Sequence, residues 1–312
     1  MWSSAVGGDA AVSRRFVVTD GPVLGVDAGG SGTRAVLVEG GAILERFEES
    51  PLNVLLHDDA VDRLAELITK SGARAAGLGL AGVRGAGEAE RLRNRIAAAV
   101  GIPVVVADDT EVAFLGAFRG APGIIVIAGT GSNAFGRDAQ GRAARVGGHG
   151  FLLGDEGGAY WIANQAIRAA LHSFDGTGPK SAALEAAVLA GFGMVDDGFD
   201  GVVRLVHSAP ADRHLVARLA PAVMALEDPV ALRILDRATA ALVAMAQTLR
   251  ARLGPDLPVA MHGGVFAHPR IRERFVAATQ AVEPAEPPEL GAVRLLGTAV
   301  TLRDSGWAGG PR

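Results

Sequence analysis

The first half of the chain alternates short apolar runs with a segment whose apolar residues recur at helical spacing. Val61, Leu64, Leu67 and Ile68 show the periodicity of an amphipathic helix. Two apolar runs flank Gly40-Gly41, and such a glycine pair is typical of a β-hairpin. The predicted elements are strands at Val23–Asp27, Ala35–Glu39 and Ala42–Phe47, a helix at Asp58–Lys70, a strand at Ala75–Leu80, a helix at Glu88–Val100, a strand at Pro103–Ala107 and a helix at Thr110–Phe118. This alternation indicates an α/β fold.

After Arg119–Pro122 the chain begins again with the same order of elements. A strand at Gly123–Ala128 leads into a Gly-Ser/Thr loop, and strands at Ala134–Arg137 and Ala143–Val146 flank a turn. This weak internal repeat predicts a second α/β unit. Helices follow at Tyr160–His172, Ser181–Ala190, Asp212–Leu226, Pro229–Leu253 and Gly291–Arg303, with a strand at Val259–His262 and a linker at Pro284–Pro288.

Length and composition narrow the class of protein. The 312 residues suggest two domains. A net charge of −4 gives no basic stripe, so we expect no nucleic-acid partner. The absence of cysteine excludes disulfides, iron–sulfur ligation, Cys-ligated zinc and thiol catalysis. No run is long and apolar enough for a membrane span, and residues 1–22 lack a signal-peptide core and form a flexible tail, so we expect a cytoplasmic protein.

Three glycine clusters have the composition of phosphate-binding loops. Glycine allows backbone N–H groups to approach an anion closely, and serine and threonine hydroxyls add donors. For each loop taken alone, a tight turn is the alternative interpretation. The first loop follows Asp27 and the second follows a buried strand; the candidate ligands are Gly29, Gly30, Ser31, Gly32, Thr33 and Arg34 in the first, Gly129, Thr130, Gly131 and Ser132 in the second, and Gly263 and Gly264 in the third.

The common nucleotide motifs are missing or out of context. No Walker sequence occurs. A G-x-G-x-x-G pattern is present at Gly77, Gly79 and Gly82, but no acidic residue ends a second strand about 20 residues later. We therefore interpret this pattern as a plain strand-to-turn sequence.

Asp108 and Asp109 come at the end of a predicted strand, where α/β folds place functional residues. A carboxylate there could act as the general base for transfer of phosphate to a hydroxyl. The alternative is that either aspartate only caps the helix that follows. The residues alone leave both interpretations open.

The stretch Gly147–Gly158 sets two acids, Asp155 and Glu156, in a glycine frame just before a helix. Carboxylates in such a frame suit hydrogen bonds to vicinal hydroxyls, because the backbone can fold close around a polyol. The alternatives are a capping loop or a calcium-like loop, and the spacing is not that of an EF-hand. Among the histidines, His149 in this frame and His262 before the third loop are the better candidates for function. The others, His57, His172, His207, His214 and His268, are expected to be surface or capping residues.

Five stretches together resemble the BadF/BadG/BcrA/BcrD ATPase family of the sugar kinase/Hsp70/actin superfamily, the group that contains N-acetylglucosamine kinase. They occur in the family's order across residues 23–300, and they read VLGVDAGGSGTRAVLVEGG, VVVADDTEVAFLGAF, GIIVIAGTGSNAFG, GGHGFLLGDEGGAYWI and VAMHGGVF. The resemblance implies two actin-like (ribonuclease H-like) domains with a nucleotide cleft between them. One would span residues 23–118 and be completed by the helix at 291–303, and the other would span residues 119–290.

The resemblance also implies the cofactors and the roles of residues. ATP phosphates would lie on the first two loops and adenosine beside Gly263-Gly264. Asp27 would hold Mg²⁺ through water, and Asp109 would accept the proton from a sugar 6-hydroxyl. The residues implied to line the pocket of a small amino sugar are Asn53, Asp109, Asn133, Gly148, His149, Asp155 and Glu156. The expected activity is the 6-phosphorylation of N-acetylglucosamine, and a homodimer is compatible with the resemblance.

Two positions depart from the family pattern. His149 stands where relatives commonly have tryptophan, which puts the 2-substituent of the sugar in doubt, and His149 could equally be a harmless substitution. Gly158 stands where relatives have serine, and we expect it to loosen the loop that carries Asp155. Glucosamine kinase and N-acetylmuramate kinase are the alternatives within the enzyme class. An ATP- or sugar-sensing protein without efficient transfer is the alternative outside it. The lack of cysteine excludes the family's iron–sulfur activators.

Overall fold

The computed structural model describes residues 21–30, 32–52, 54, 59–83, 85–208 and 213–297. The strands are β1 Val23–Ala28, β2 Thr33–Glu39, β3 Ala42–Glu49, β4 Ala75–Leu80, β5 Val104–Asp108, β6 Gly123–Ala128, β7 Ser132–Arg137, β8 Ala143–Gly147 and β9 Val259–His262. The helices are α1 Ala60–Ser71, α2 Ala86–Val100, α3 Asp109–Phe118, α4 Ala159–Phe174, α5 Ala182–Phe192, α6 Gly198–Ser208, α7 Arg213–Ala217, α8 Ala220–Met224, α9 Pro229–Leu253, α10 Pro269–Thr279 and α11 Pro288–Arg294, with a 3₁₀ helix at Gly264–Ala267.

The strands form two sheets of similar topology. The first has the order β3-β2-β1-β4-β5 and the second β8-β7-β6-β9. In each, the opening strand pairs antiparallel with the next strand and parallel with a later one. The repeat in the sequence therefore corresponds to a repeated arrangement of strands. The predicted α/β architecture is confirmed, whereas the domain boundaries stay a prediction.

The first hairpin shows why local sequence was informative. Gly40 and Gly41 have φ angles of 56° and 84°, and Glu39 pairs with Ala42 across the turn. Positive φ at both central positions is the geometry of a two-residue turn that matches the twist of the strands. Glycine adopts it without steric cost.

Helix α3 lies between the two sheets. Phe114, which is fully buried, makes an edge contact with Phe135 of β7 at 5.1 Å between ring centroids. A cluster of buried residues on α3 extends to Ile125 of β6 and Ala260 of β9. The helix that follows Asp108 therefore connects the first sheet to the second.

Helices α11 and α3, the latter through Val112, pack on the first sheet through contacts that require glycine. A Cβ at Gly77 would overlap the carbonyl group of Ala292, with the carbonyl carbon at 2.9 Å, and one at Gly79 would lie 2.9 Å from Cγ1 of Val112. A Cβ at Gly25 would lie 2.9 Å from the backbone nitrogen of Val293. Gly77 and Gly79 of the G-x-G-x-x-G pattern thus make room for helices, and the pattern lies on β4 and the turn after it, as the strand-to-turn interpretation predicts.

The helices differ from the prediction in four places. Residues 213–226 form α7 and α8 instead of one helix, because Pro221 in the first turn of α8 has no N–H for a continuing helix. Helices α6 and α10 were not predicted. The last helix covers Pro288–Arg294 instead of Gly291–Arg303, and residues 298–303 lie outside the described part. None of the helices in that part has the length and apolar character of a membrane-spanning segment.

Candidate active site

The first loop leaves β1 and is held by its own backbone. The N–H of Gly29 donates to the carbonyl of Gly32 at 3.0 Å, and the N–H of Leu52 donates to the carbonyl of Gly29 at 3.2 Å. Thr33 is buried, and its hydroxyl donates to the carbonyl of Ser50 at 3.0 Å. This hydrogen bond fastens the loop to the end of β3, and the predicted role of Thr33 in phosphate binding stays a prediction. Ser31 lies outside the described residues.

The second loop is tied to the start of α4. The carbonyls of Gly129 and Thr130 accept from the N–H groups of Ala159 and Tyr160 at 2.8 and 3.0 Å. The buried hydroxyl of Ser132, also predicted as a phosphate ligand, donates instead to the carbonyl of Glu156 at 2.7 Å. The hydroxyls of Thr33 and Ser132 therefore hold the backbone in place, and the candidate anion ligands among the described residues are the backbone N–H groups of the loops and the hydroxyl of Thr130.

The third loop abuts the second. Gly263 has a φ of 108°, and a Cβ there would be 2.5 Å from the carbonyl oxygen of Ala128. No described atom lies within 4 Å of the position a Cβ would take at Gly264 or at Gly129. These two glycines therefore border open space, as a nucleotide-binding surface requires.

Asp108 and Asp109 have different partners. Asp108 caps α3, because its Oδ1 accepts from the N–H of Glu111 at 2.9 Å, and its Oδ2 lies 2.7 Å from Nη2 of Arg145. Asp109 is the first residue of α3, and the hydroxyl of Thr110 donates to its Oδ1 at 3.4 Å. The cap is thus supplied by Asp108, and Asp109 is not needed for it.

The charges of Asp27 and Asp109 interact, and the pKa values of both carboxyl groups are raised. Burial raises the pKa of Asp109, as does the charge of Asp108, while Arg145 lowers it. Burial, and next the charges of Asp109 and Glu289, raise the pKa of half-buried Asp27 well above its usual value. Carboxylates with this mutual repulsion suit a site that receives a cation.

A magnesium nucleotide fits these residues. Among the residues that the structure describes, no group of three or more His, Cys, Asp or Glu could cage a metal. Mg²⁺ usually keeps several waters and binds through one or two carboxylates plus substrate phosphates. Asp27, with its raised pKa beside a phosphate-type loop, has the donor chemistry for that mode.

Two predicted sugar residues of the second half, Asn133 and Gly148, lie close to the start of α3, and Asp155 lies against the second loop. The amide of Asn133 donates to the hydroxyl of Thr110 at 3.1 Å, and a Cβ at Gly148 would be 3.2 Å from Cβ of Asn133. Asp155 is 5% exposed and has a φ of 60°, which is uncommon outside glycine. Burial raises the pKa of Asp155, while backbone hydrogen bonds from Gly150 and Ser132 lower it.

The remaining residues predicted to bind sugar or nucleotide are exposed or lie outside the part of the chain that the structure describes. His149 and Glu156 are exposed, and a Cβ at Gly154 would be 3.2 Å from Cβ of His149 and 3.7 Å from Oε2 of Glu156. Arg34 is exposed on β2, and its charge lowers the pKa of Asp27 and of Glu289. Asn53 lies outside the described residues.

Gly158 is packed closely. A Cβ there would be 2.7 Å from the carbonyl carbon of Gly131, and the N–H of Gly158 donates to the carbonyl of Asp155 at 3.0 Å. This differs from the expected loosening, because glycine lets α4 approach the second loop.

His262 ends β9, and burial and Arg34 lower its pKa to about 4, so it is neutral at pH 7.

Sequence reasoning missed three neighbours of this site. Thr110 contacts Asp109, Arg145 contacts Asp108, and Arg213 lowers the pKa of Asp155. His214 was expected to be a surface or capping residue but lies against the first loop, 3.0 Å from the position of a Cβ at Gly30. For Arg145, its place two residues before the Gly147–Gly158 frame was a usable signal; the sequence around Arg213 and His214 carried none.

Comparison with known proteins identifies the family of the chain. The profile of the BadF/BadG/BcrA/BcrD ATPase family matches residues 24–294. Over 78 residues the chain is 50% identical to the N-acetylmuramic acid/N-acetylglucosamine kinase of Clostridium acetobutylicum. That match spans 25% of this chain and 26% of the relative, about a quarter of each.

Solved structures share the fold over most of the chain. A candidate N-acetylglucosamine kinase from Chromobacterium violaceum has a TM-score of 0.74 at 28% identity, over 88% of this chain and 98% of that one. A ROK family glucokinase from Streptomyces griseus, solved with glucose and AMPPNP, has a TM-score of 0.56 at 22% identity, over 89% and 98%. The fold is therefore the actin-like α/β fold of sugar kinases.

Proposed function

The chain belongs to the BadF/BadG/BcrA/BcrD ATPase family, and we propose that it is an ATP-dependent sugar kinase that phosphorylates the 6-hydroxyl of N-acetylglucosamine with Asp109 as general base. The names of the relatives from Clostridium acetobutylicum and Chromobacterium violaceum support an amino sugar as the acceptor. N-acetylmuramate is the second acceptor to test, since it is part of the name of the first of these relatives.

The observation that carries the proposal is that the adjacent residues Asp108 and Asp109 have different partners, and that Asp108 supplies the helix cap. Asp108 caps α3 and pairs with Arg145, so the structural tasks at this strand end are taken. Asp109 is left beside Asp27 with a raised pKa, and Asn133 approaches it through Thr110. A carboxylate that does not cap the helix, close to the aspartate that precedes the first loop, is the arrangement expected of a base.

Transfer needs one proton acceptor. A bond forms between the sugar oxygen and the γ-phosphorus, the bond from that phosphorus to the oxygen of ADP breaks, and the hydroxyl proton moves to the Asp109 carboxylate. Because burial raises its pKa, Asp109 is a stronger base than an exposed aspartate. Asp27 would hold Mg²⁺, which would supply charge neutralisation at the phosphates, and the rest of catalysis is positioning by the loops.

The other proposed roles follow the same geometry. Backbone N–H groups of the first two loops bind phosphates, and Gly264 borders the adenosine. Asp155, fixed by backbone hydrogen bonds, binds sugar hydroxyls together with Asn133 and the exposed Glu156. Asn53 and His149 complete the sugar pocket.

The test is ADP release from Mg-ATP with N-acetylglucosamine, glucosamine, glucose, N-acetylmuramate or no sugar. We expect strong release with one amino sugar and none with its 6-deoxy analogue, which lacks the accepting hydroxyl. Asp109→Asn should lower kcat by about 10²–10⁴-fold, the usual contribution of a general base, with nucleotide binding retained. Asp256→Asn, at an exposed loop position, is the matched control and should keep wild-type rates.

The outcomes separate the alternatives. Release without sugar would indicate an ATPase, and no release with any sugar would favour a sensor. Full activity of Asp109→Asn would show that the base is another residue. Phosphorylation of the 6-deoxy sugar would show that the accepting hydroxyl is a different one.

A further inference from the structure

One basic side chain close to the first loop has an unmet hydrogen-bonding group. Arg213 begins α7, and its Nε is buried with no hydrogen-bond partner among the residues that the structure describes. Buried polar groups in folded proteins nearly always have a partner. The partner of Arg213 is therefore to be sought in a molecule that binds beside it.

Two contacts locate this side chain. Its Nη2 is 3.3 Å from the position that a Cβ would take at Gly30, so the guanidinium lies against the first loop. Its positive charge also lowers the pKa of Asp155, which packs on the second loop. Arg213 thus lies against the first loop and close enough to the carboxylate proposed to bind the sugar for its charge to act on it.

The neighbouring charges favour an anion as the ligand. Arg145 of β8, another arginine of this region, is already paired with Asp108. Asp155 has hydrogen bonds from the backbone of Gly150 and Ser132 and is not within ion-pair distance of Arg213 in the described structure. A guanidinium offers a planar set of N–H donors that matches phosphate oxygens.

We propose that Arg213 binds the terminal phosphate of ATP beside Gly30 and so contacts the group that is transferred. This inference rests on the proposed kinase function, and it assigns to α7 a residue that distinguishes ATP from ADP. The side chain reaches the first loop from the second half of the chain, so it also joins the two halves across the bound nucleotide.

The test compares nucleotides by calorimetry in the absence of sugar, so that it is independent of the acceptor. The probes are Mg-AMPPNP and Mg-ADP. Arg213→Met should weaken AMPPNP binding by about 10–100-fold, as expected for loss of a charge-assisted hydrogen bond, and ADP binding by less than about threefold. Arg213→Lys should restore part of the loss, because it keeps the charge without the fork of donors. Arg218→Met, five residues further on and exposed, is the matched control.

Each result decides the matter. If Arg213→Met and Arg213→Lys both keep the wild-type ratio of AMPPNP to ADP affinity, the proposal is wrong. If Arg213→Met leaves nucleotide affinity unchanged but raises the KM of the sugar, Arg213 acts through Asp155 and the proposal is also wrong. If the wild-type chain binds neither nucleotide, the kinase function itself fails, which is a different result from loss of discrimination in the variant. Should Arg213→Met not fold, judged by its thermal transition, Arg213→Lys carries the comparison.

Discussion

Replacing Gly77 by alanine tests whether the G-x-G-x-x-G pattern packs a helix or binds a nucleotide. Gly77 lies inside β4, and a Cβ there would overlap the carbonyl group of Ala292 in α11. The neighbour is backbone, so no change of rotamer can relieve the overlap. The methyl group must push α11 away from the sheet.

The contacts of α11 set the size of the effect. Leu290, Val293 and Leu296 are each no more than 1% exposed. Full burial of such side chains contributes about 1.5–3 kcal/mol each, so complete undocking would cost about 4–9 kcal/mol. A well-packed core that relaxes around an extra methyl group loses about 1–3 kcal/mol. Because the overlap here is with a helix backbone, we expect a loss of at least about 3 kcal/mol.

Thermal unfolding without ligand is the assay. At about 2–4 °C per kcal/mol, Tm should fall by at least about 6 °C. Gly87→Ala is the matched control, since its Cβ would lie 4.0 Å from the nearest atom, in Arg91, and alanine stabilises a helix by about 0.5–1 kcal/mol. A Gly77→Ala protein with wild-type Tm but weakened binding of ATP would refute the packing argument.

Two further predictions concern charge. Arg145→Met should move the acid limb of the pH profile of kcat/KM to higher pH, because Arg145 lowers the pKa of Asp109 and a base must be deprotonated to act; an unchanged limb would separate Arg145 from the base. Asp27→Asn should abolish transfer but raise the Tm of the ligand-free protein. The pKa of Asp27 is raised in the folded state, so the folded protein binds this proton more tightly than the unfolded chain does. Wild-type stability therefore falls as the pH rises from 3.8, the pKa in the unfolded chain, towards the raised pKa in the folded state. The gain of Asp27→Asn should therefore appear above pH 3.8 and grow with pH, measured as Tm against pH without nucleotide; a gain confined to low pH would contradict this sign.

Much of the secondary structure followed from local sequence. The helix Pro229–Leu253 was predicted with its bounds, since Asp228 accepts hydrogen bonds from Val230 and Ala231 and the proline fits the first turn. The strand Ala75–Leu80 is buried along its whole length, as its unbroken apolar run indicates. Caps, turns and burial periodicity involve residues a few positions apart, so the sequence displays them directly.

The candidate site was only partly visible in the sequence. The three loops and the acids could be named because glycine and carboxylate types are distinctive. The hydrogen-bond partners of the loop side chains could not be predicted, since the hydroxyls of Thr33 and Ser132 donate to carbonyls 17 and 24 residues away. Which of the adjacent aspartates caps α3 also depended on Arg145, a partner from the second sheet.

The sequence by itself therefore determined the α/β class, the repeated strand order and the residue types of the loops. The tertiary structure alone decided that Gly77 makes room for α11, that Asp108 and not Asp109 caps α3, and that Arg213 lies against Gly30. The physical reason is that hydrogen-bonded turns and apolar periodicity are set by neighbours along the chain. Close approach of a helix to a strand, and of a charge to a loop, depends on how distant elements pack.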